Sequence, residues 1–280
     1  MKSRELVAVP SRGLLRVFGI YLRWYLRRHF HALRVSGLER LVRDGGKPLV
    51  VFLNHASWWD PLTCILLARA LMPEAEHYAP MDAEALAHYG FFRRLGMFPV
   101  EIDTPRGAVQ FLRASEAVLG RRGAVLWVTP QGRFADARVR PLELKTGLGA
   151  LAARLAADGH GAVFLPLAIE YTYWNERLPE ILVRCGEPVR LGGSGAGGEL
   201  VTDAVTDLLA EALMRTQDEL AALAVARDAG PFVTLAAGRA GVGGVYSLWG
   251  RVRGMLGGRR YVAEHDAIKQ GAARQGPVRP

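Results

Sequence analysis

From Lys47 to Cys185 the sequence alternates short, almost unbroken apolar runs with longer segments of helical spacing, and that rhythm limits the fold more than any other feature. Short apolar runs bounded by turns suit strands covered on both faces, and strands alternating with helices build an α/β layer fold. The pattern predicts strands at 48–53, 77–80, 98–102, 124–128, 163–169 and 181–185, with helices at 58–71, 84–95, 107–119, 148–157 and 200–226. A chain of 280 residues can bury one large core, whereas two small domains would each be marginal. The expected fold is therefore α/β, a single mixed-sheet domain flanked by helices.

Charge separates this domain from its appendages. Residues 1–47 carry 11 basic and 3 acidic side chains, residues 48–226 carry 16 and 21, and residues 227–280 carry 9 and 3. The net charge of +9 thus resides in two arms around a mildly acidic middle, which suits an anionic partner. Between residues 11 and 33, Phe18, Tyr21, Trp24, Tyr25 and Phe30 are interleaved with Arg16, Arg23, Arg27 and Arg28. Aromatic rings at headgroup level and arginines at lipid phosphates satisfy such a helix better than water does. This predicts an N-terminal amphipathic membrane-associating helix on an anionic membrane surface, and no nucleic-acid partner.

The domains expected are a basic aromatic membrane-interface segment at 1–47, the functional domain at 48–226, and a basic Gly-rich tail, partly disordered, at 227–280. The run GGSGAGG at 192–198 reads as a flexible connector, and 232–256 as a second stretch that lipid could order. Cys64 and Cys185 are too few for a disulfide framework or a Cys-rich zinc site. No uncharged 18-residue window and no signal peptide are present, so the expected location is peripheral, at the cytoplasmic face of a membrane.

Chemistry concentrates in LVVFLNHASWWD, residues 49–60, where an apolar strand ends in a turn holding Asn54, His55, Ser57 and Asp60. Loops at the C-terminal ends of strands open into crevices, so a histidine there is rigidly held yet faces substrate. A neutral imidazole accepts a proton only if its other nitrogen is held as a donor, and Asp60, five residues on, can hold it. The same spacing equally suits a turn-capping His55 with Asp60 at a helix start.

Asn54-His55-Ala56-Ser57-Trp58-Trp59-Asp60 resembles the Asn-His-x-Ser-x-x-Asp signature of the glycerolipid acyltransferases, the family that includes the 1-acylglycerol-3-phosphate acyltransferases. Four further blocks follow in family order. Gly96 to Glu101 resembles the second, although Ile102 stands where an arginine is usual and Arg106 is the nearest substitute. Thr129-Pro130-Gln131-Gly132-Arg133 resembles the third, with Gln131 for the usual glutamate and Arg133 for the threonine. Lys145-Thr146-Gly147 and Val163 to Ala168 resemble the remaining two.

The resemblance implies that residues 48–226 are an acyltransferase domain, moving a fatty acyl group from acyl-CoA or acyl carrier protein to a lipid hydroxyl. His55 would be the general base and Asp60 its orienting partner. Asn54, Ser57, Arg106, Gln131, Gly132, Arg133 and Lys145 are the expected substrate-binding residues, with oxyanion donors among the backbone N–H groups near Gly132 or Ser57. No metal and no cofactor is implied. The partners are the lipid acceptor and the thioester donor, with acyl carrier protein one form of that donor. A lysophospholipid is the first acceptor to consider. Ile102 and Gln131 point instead to another lipid hydroxyl, on a glycosylated carotenoid or isoprenoid, an aminolipid or a glycolipid. A basic peripheral membrane-binding protein on an inactive enzyme fold is the reading from a different class.

Overall fold

The computed structural model describes residues 7–41, 47–158, 161–191 and 201–239. In chain order the elements are α1 (Arg12–His29), β1 (Ala32–Ser36), β2 (Leu49–Leu53), α2 (Asp60–Leu71), β3 (Glu76–Asp82), α3 (Ala83–His88), β4 (Met97–Val100) and α4 (Pro105–Leu119). They continue with β5 (Ala124–Val128), α5 (Gly147–Ala157), β6 (Ala162–Thr172), β7 (Glu180–Cys185), β8 (Val189–Leu191), α6 (Thr202–Ala226) and β9 (Val233–Ala237).

The strands form one mixed sheet in the order β4-β3-β5-β2-β6-β7-β1-β9, with β8 beside β6. The β4, β3, β5, β2 and β6 neighbours pair in parallel, as do β7 and β1. The β6–β7, β6–β8 and β1–β9 pairs are antiparallel.

The central strand explains its own sequence. All five residues of β2 are buried, and successive side chains point to opposite faces. Leu49, Val51 and Leu53 pack with Leu22 and Leu26 of α1 and Leu66 and Leu67 of α2. Val50 and Phe52 pack with Phe111 of α4, Leu151 of α5 and Leu209 of α6. With helices on both sides, no position in the strand is left for a polar side chain, hence the unbroken apolar run. Strand β5 repeats the arrangement, with Leu126 on one side and Trp127 on the other.

Local signals set the helix starts. Thr104 caps α4 through the Gly107 N–H, and Pro105 opens the helix where its missing N–H costs nothing. The single helix expected over 84–95 divides instead, with α3 ending at His88 and a 3-10 turn following at Gly90–Leu95. The helix expected through residue 33 stops at His29, because β1 claims Ala32–Ser36 for pairing with β7 and β9. Phe232 is buried and β9 joins the sheet, so the start of the basic tail is ordered strand. The expected connector at 192–198 and tail beyond residue 239 lie outside the described residues.

The chain leaves β2 for β3 on one side of the sheet and leaves β5 for β6 on the other, a topological switch point beside β2. The C-terminal ends of parallel β2, β3, β4 and β5 share one edge, and the loops that follow them converge there.

Candidate active site

Asn54 follows the last residue of β2 and is completely buried. Its side-chain N–H donates to the Ile169 carbonyl at 3.0 Å and its Oδ1 accepts from the Ile169 N–H at 2.8 Å. The amide thus continues the β2–β6 ladder by one rung and fixes where the turn begins. His55 is then clamped through its backbone. Its N–H donates to Gln131 Oε1 at 2.7 Å, and its carbonyl accepts from the Ala135 N–H at 2.9 Å.

The His55 ring packs against Phe134, with centroids 4.3 Å apart, and its Nδ1 lies 2.8 Å from Asp60 Oδ2. The Asp60 side chain is only 1% exposed, a costly place for a carboxylate unless it is bonded on several sides. It is. Oδ2 also accepts from the Ser57 N–H at 2.9 Å, and Oδ1 accepts from the Tyr171 hydroxyl at 2.7 Å. Burial first, then the Asp60 charge, holds the Tyr171 phenol well above its usual range, so it stays a donor. Because an ionised carboxylate only accepts, the ring proton belongs on Nδ1, which leaves Nε2 with its lone pair in the neutral ring. His55 lines a cleft of about 1620 Å³ whose wall continues through Ile65, Ala68, Leu95, Met97 and Trp127 to Val9 and Arg16.

Gly132 has a left-handed φ of 63°, and an added Cβ would come within 2.5 Å of Lys145 Cε. The left-handed backbone of the turn after β5 favours glycine here. The Lys145 ammonium pairs with Asp103 at 2.6 Å, Arg133 with Glu143 at 3.0 Å and Arg106 with Glu101 at 3.4 Å.

The expected residues therefore divide. His55, Asp60, Gly132, Arg133 and Lys145 line the cleft together, whereas Arg106 does not. Asn54, Ser57 and Gln131 use their polar atoms to build the turn: Ser57 Oγ accepts from the Trp59 N–H at 3.2 Å. Of the backbone N–H groups expected to include oxyanion donors, in the turn at Gly132 or near Ser57, the Gly132 N–H bonds to the Thr129 carbonyl and the Ser57 N–H to Asp60. Tyr171 and Phe134 complete the site without having been expected in it. Phe134 follows the third sequence block directly, but Tyr171 lies 111 residues from Asp60 and has no local signature.

A sequence profile of the family described as Acyltransferase matches residues 32–170, the span from β1 into β6. The chain belongs to this acyltransferase family. The matched span contains both members of the His55–Asp60 pair and the turn after β5. Among solved structures, the chain resembles the 1-acyl-sn-glycerophosphate (LPA) acyltransferase PlsC from Thermotoga maritima. The TM-score is 0.51 at 17% identity, over 75% of this chain and 80% of that one, so the two acyltransferases share a fold. No curated protein matches the sequence.

Proposed function

We propose that this acyltransferase moves a fatty acyl group from an acyl thioester to a lipid hydroxyl, with His55 as general base. The observation that carries the reading is the His55 Nδ1 to Asp60 Oδ2 contact of 2.8 Å, made by a histidine that faces an apolar-walled cleft. The acceptor hydroxyl attacks the thioester carbonyl as Nε2 takes its proton. The C–S bond then breaks, and the imidazolium returns the proton to the departing thiolate. Asp60 fixes the tautomer and stabilises the imidazolium. The donor is acyl-CoA or acyl carrier protein. The favoured acceptor is a lysophospholipid such as 1-acylglycerol-3-phosphate, the substrate named for the Thermotoga maritima enzyme of the same fold. Arg133 and Lys145, on the same cleft, supply positive charge for its phosphate.

A second acceptor class has one specific observation in its favour. Arg106, Arg133 and Lys145 each already face a carboxylate, which reduces their call on an acceptor phosphate. A hydroxyl on a glycosylated isoprenoid, an aminolipid or a glycolipid needs no such phosphate contact.

The acceptor reaches the cleft from a membrane, and α1 supports docking at its surface. Leu22 and Leu26 face the core, while Val17, Ile20, Tyr21 and Trp24 face outward at 67%, 66%, 48% and 57% exposure. Arg23, Arg27 and Arg28 flank this apolar face, the arrangement of an interfacial helix on an anionic leaflet. No described helix is long and apolar enough to cross a membrane. The setting proposed is peripheral, at the cytoplasmic face.

The test is thiol release from acyl-CoA and acyl carrier protein, in anionic vesicles, with lysophosphatidic acid or a total lipid extract as acceptor. General-base catalysis is worth about 100- to 10,000-fold, so His55→Ala should fold normally and lose at least that much rate. Turnover of the extract alone moves the acceptor to the second class. Equal rates for wild type and variant remove His55 from the chemistry.

A further inference from the structure

Eight arginines of the described structure sit against carboxylates: Arg34, Arg40, Arg106, Arg133, Arg138, Arg140, Arg154 and Arg184. Three without such a partner share one cleft. Arg12, Arg16 and Arg69 line the cleft that begins at His55, and none of them pairs with a described carboxylate. The Arg69 guanidinium crosses α1 at Gly19, where an added Cβ would come within 2.6 Å of its Nε. Partial burial, followed by the charges of Arg23 and Arg16, lowers its pKa. Three glutamates, Glu74, Glu76 and Glu101, share the cleft wall with Asp60, Asp82 and Asp103. Of the carboxylates beyond Asp60, Glu76 accepts from the Tyr78 hydroxyl at 2.7 Å, Glu101 faces Arg106, Asp82 accepts from the Ala85 N–H and Asp103 faces Lys145. Guanidinium groups that line a cleft without a carboxylate partner are suited to phosphate oxygens.

Distance selects the kind of phosphate. Asp60 opens α2 and the Arg69 backbone lies nine residues along it, a rise of about 13 Å at 1.5 Å per residue. A glycerol phosphate acceptor holds its phosphorus little more than one extended residue from its free hydroxyl, roughly 4 Å, and covers only part of that interval. The phosphopantetheine arm of an acyl donor can span it, because its phosphate and sulfur are separated by about four extended residues of chain, roughly 14 Å.

We propose that Arg12, Arg16 and Arg69 bind the phosphate of the acyl donor's phosphopantetheine arm while the thioester lies at His55. The assignment rests on the acyltransferase reading for its orientation, but binding alone can test it. Isothermal titration of 4′-phosphopantetheine and of pantetheine, the same arm without phosphate, is run on the wild type, Arg16→Gln/Arg69→Gln and Arg16→Lys/Arg69→Lys. Wild type should bind phosphopantetheine at least tenfold more tightly than pantetheine. The Gln pair should bring the two affinities together, and the Lys pair should restore part of the difference even if the Gln pair folds poorly. Equal affinities in the folded wild type overturn the proposal. So does a Gln pair that keeps the preference for phosphopantetheine but loses binding to phosphatidylglycerol vesicles, which gives these arginines to lipid headgroups. Because the titration needs no turnover, a protein that binds phosphopantetheine as described yet transfers no acyl group sinks the proposed reaction and leaves this site standing. Turnover of acyl-CoA without any phosphate preference does the reverse.

Discussion

The Asp60 carboxylate accepts from His55, from the Ser57 N–H and from Tyr171, and these donors have different consequences. The Ser57 bond closes a turn, whereas the Tyr171 bond ties the carboxylate to β6, the neighbour of the strand that leads into His55. Tyr171→Phe removes that donor from an oxygen that water cannot reach. The expected cost is about 1–3 kcal/mol of stability. If Tyr171 positions the proposed base pair, kcat also falls while the KM for the donor stays, and the pH profile of kcat shifts. A Tyr171→Phe enzyme with wild-type kcat and pH profile would limit the tyrosine to a structural role. This site was legible only where its chemistry is local. His55 and Asp60 are five residues apart and announce themselves, but Tyr171 reaches Asp60 only after β6 has paired beside β2. Gln131 was legible as a departure from the family pattern, and its contact explains why the change is tolerated. The His55 N–H needs an acceptor, and an amide oxygen serves as well as a carboxylate.

Elements buried on both faces were the easiest to read, because two-sided burial leaves a continuous apolar run, as in β2 and β5. Strands β1 and β9 escaped for the opposite reason. Arg34 interrupts β1, and β9 is partly exposed along its length, so both depend on partners distant in sequence. Helix α1 was legible as greasy and basic, but which side faces outward required the fold. Replacing Val17, Ile20, Tyr21 and Trp24 together with serine tests that side. Exposed positions contribute little to the core, on the order of 0.5 kcal/mol or less each, so the melting temperature should move by only a few degrees. Sedimentation with phosphatidylglycerol vesicles should weaken about tenfold or more, because the apolar face supplies the insertion. Undiminished vesicle binding would show that α1 does not dock through this face.

At the scale of the whole molecule, one edge of the sheet is made from the two basic arms. β1 comes from the first and β9 from the second, and side chains fasten them: Arg34 donates to Glu180 at 3.0 Å and to the Thr234 hydroxyl at 2.8 Å. The Gly238 N–H donates to the His31 carbonyl at 2.6 Å, and Phe232 packs edge-on against Trp174. β9 therefore covers an edge that would otherwise present unpaired N–H and C=O groups along β1. Ending the chain after Ala226 removes β9 and Phe232 together. Deleting one buried phenylalanine typically costs about 3–5 kcal/mol, so that truncation should melt many degrees lower and scatter light as β1 edges associate. Ending the chain after Arg239 keeps every one of these contacts and should melt near the intact protein. Four strand positions separate β9 from β2, so both truncations, kept below their melting temperatures, should retain the His55–Asp60 geometry and whatever turnover it supports. Equal melting and equal light scattering of the two would mean that β9 adds nothing to the sheet, and the second arm would then have only its charge to contribute.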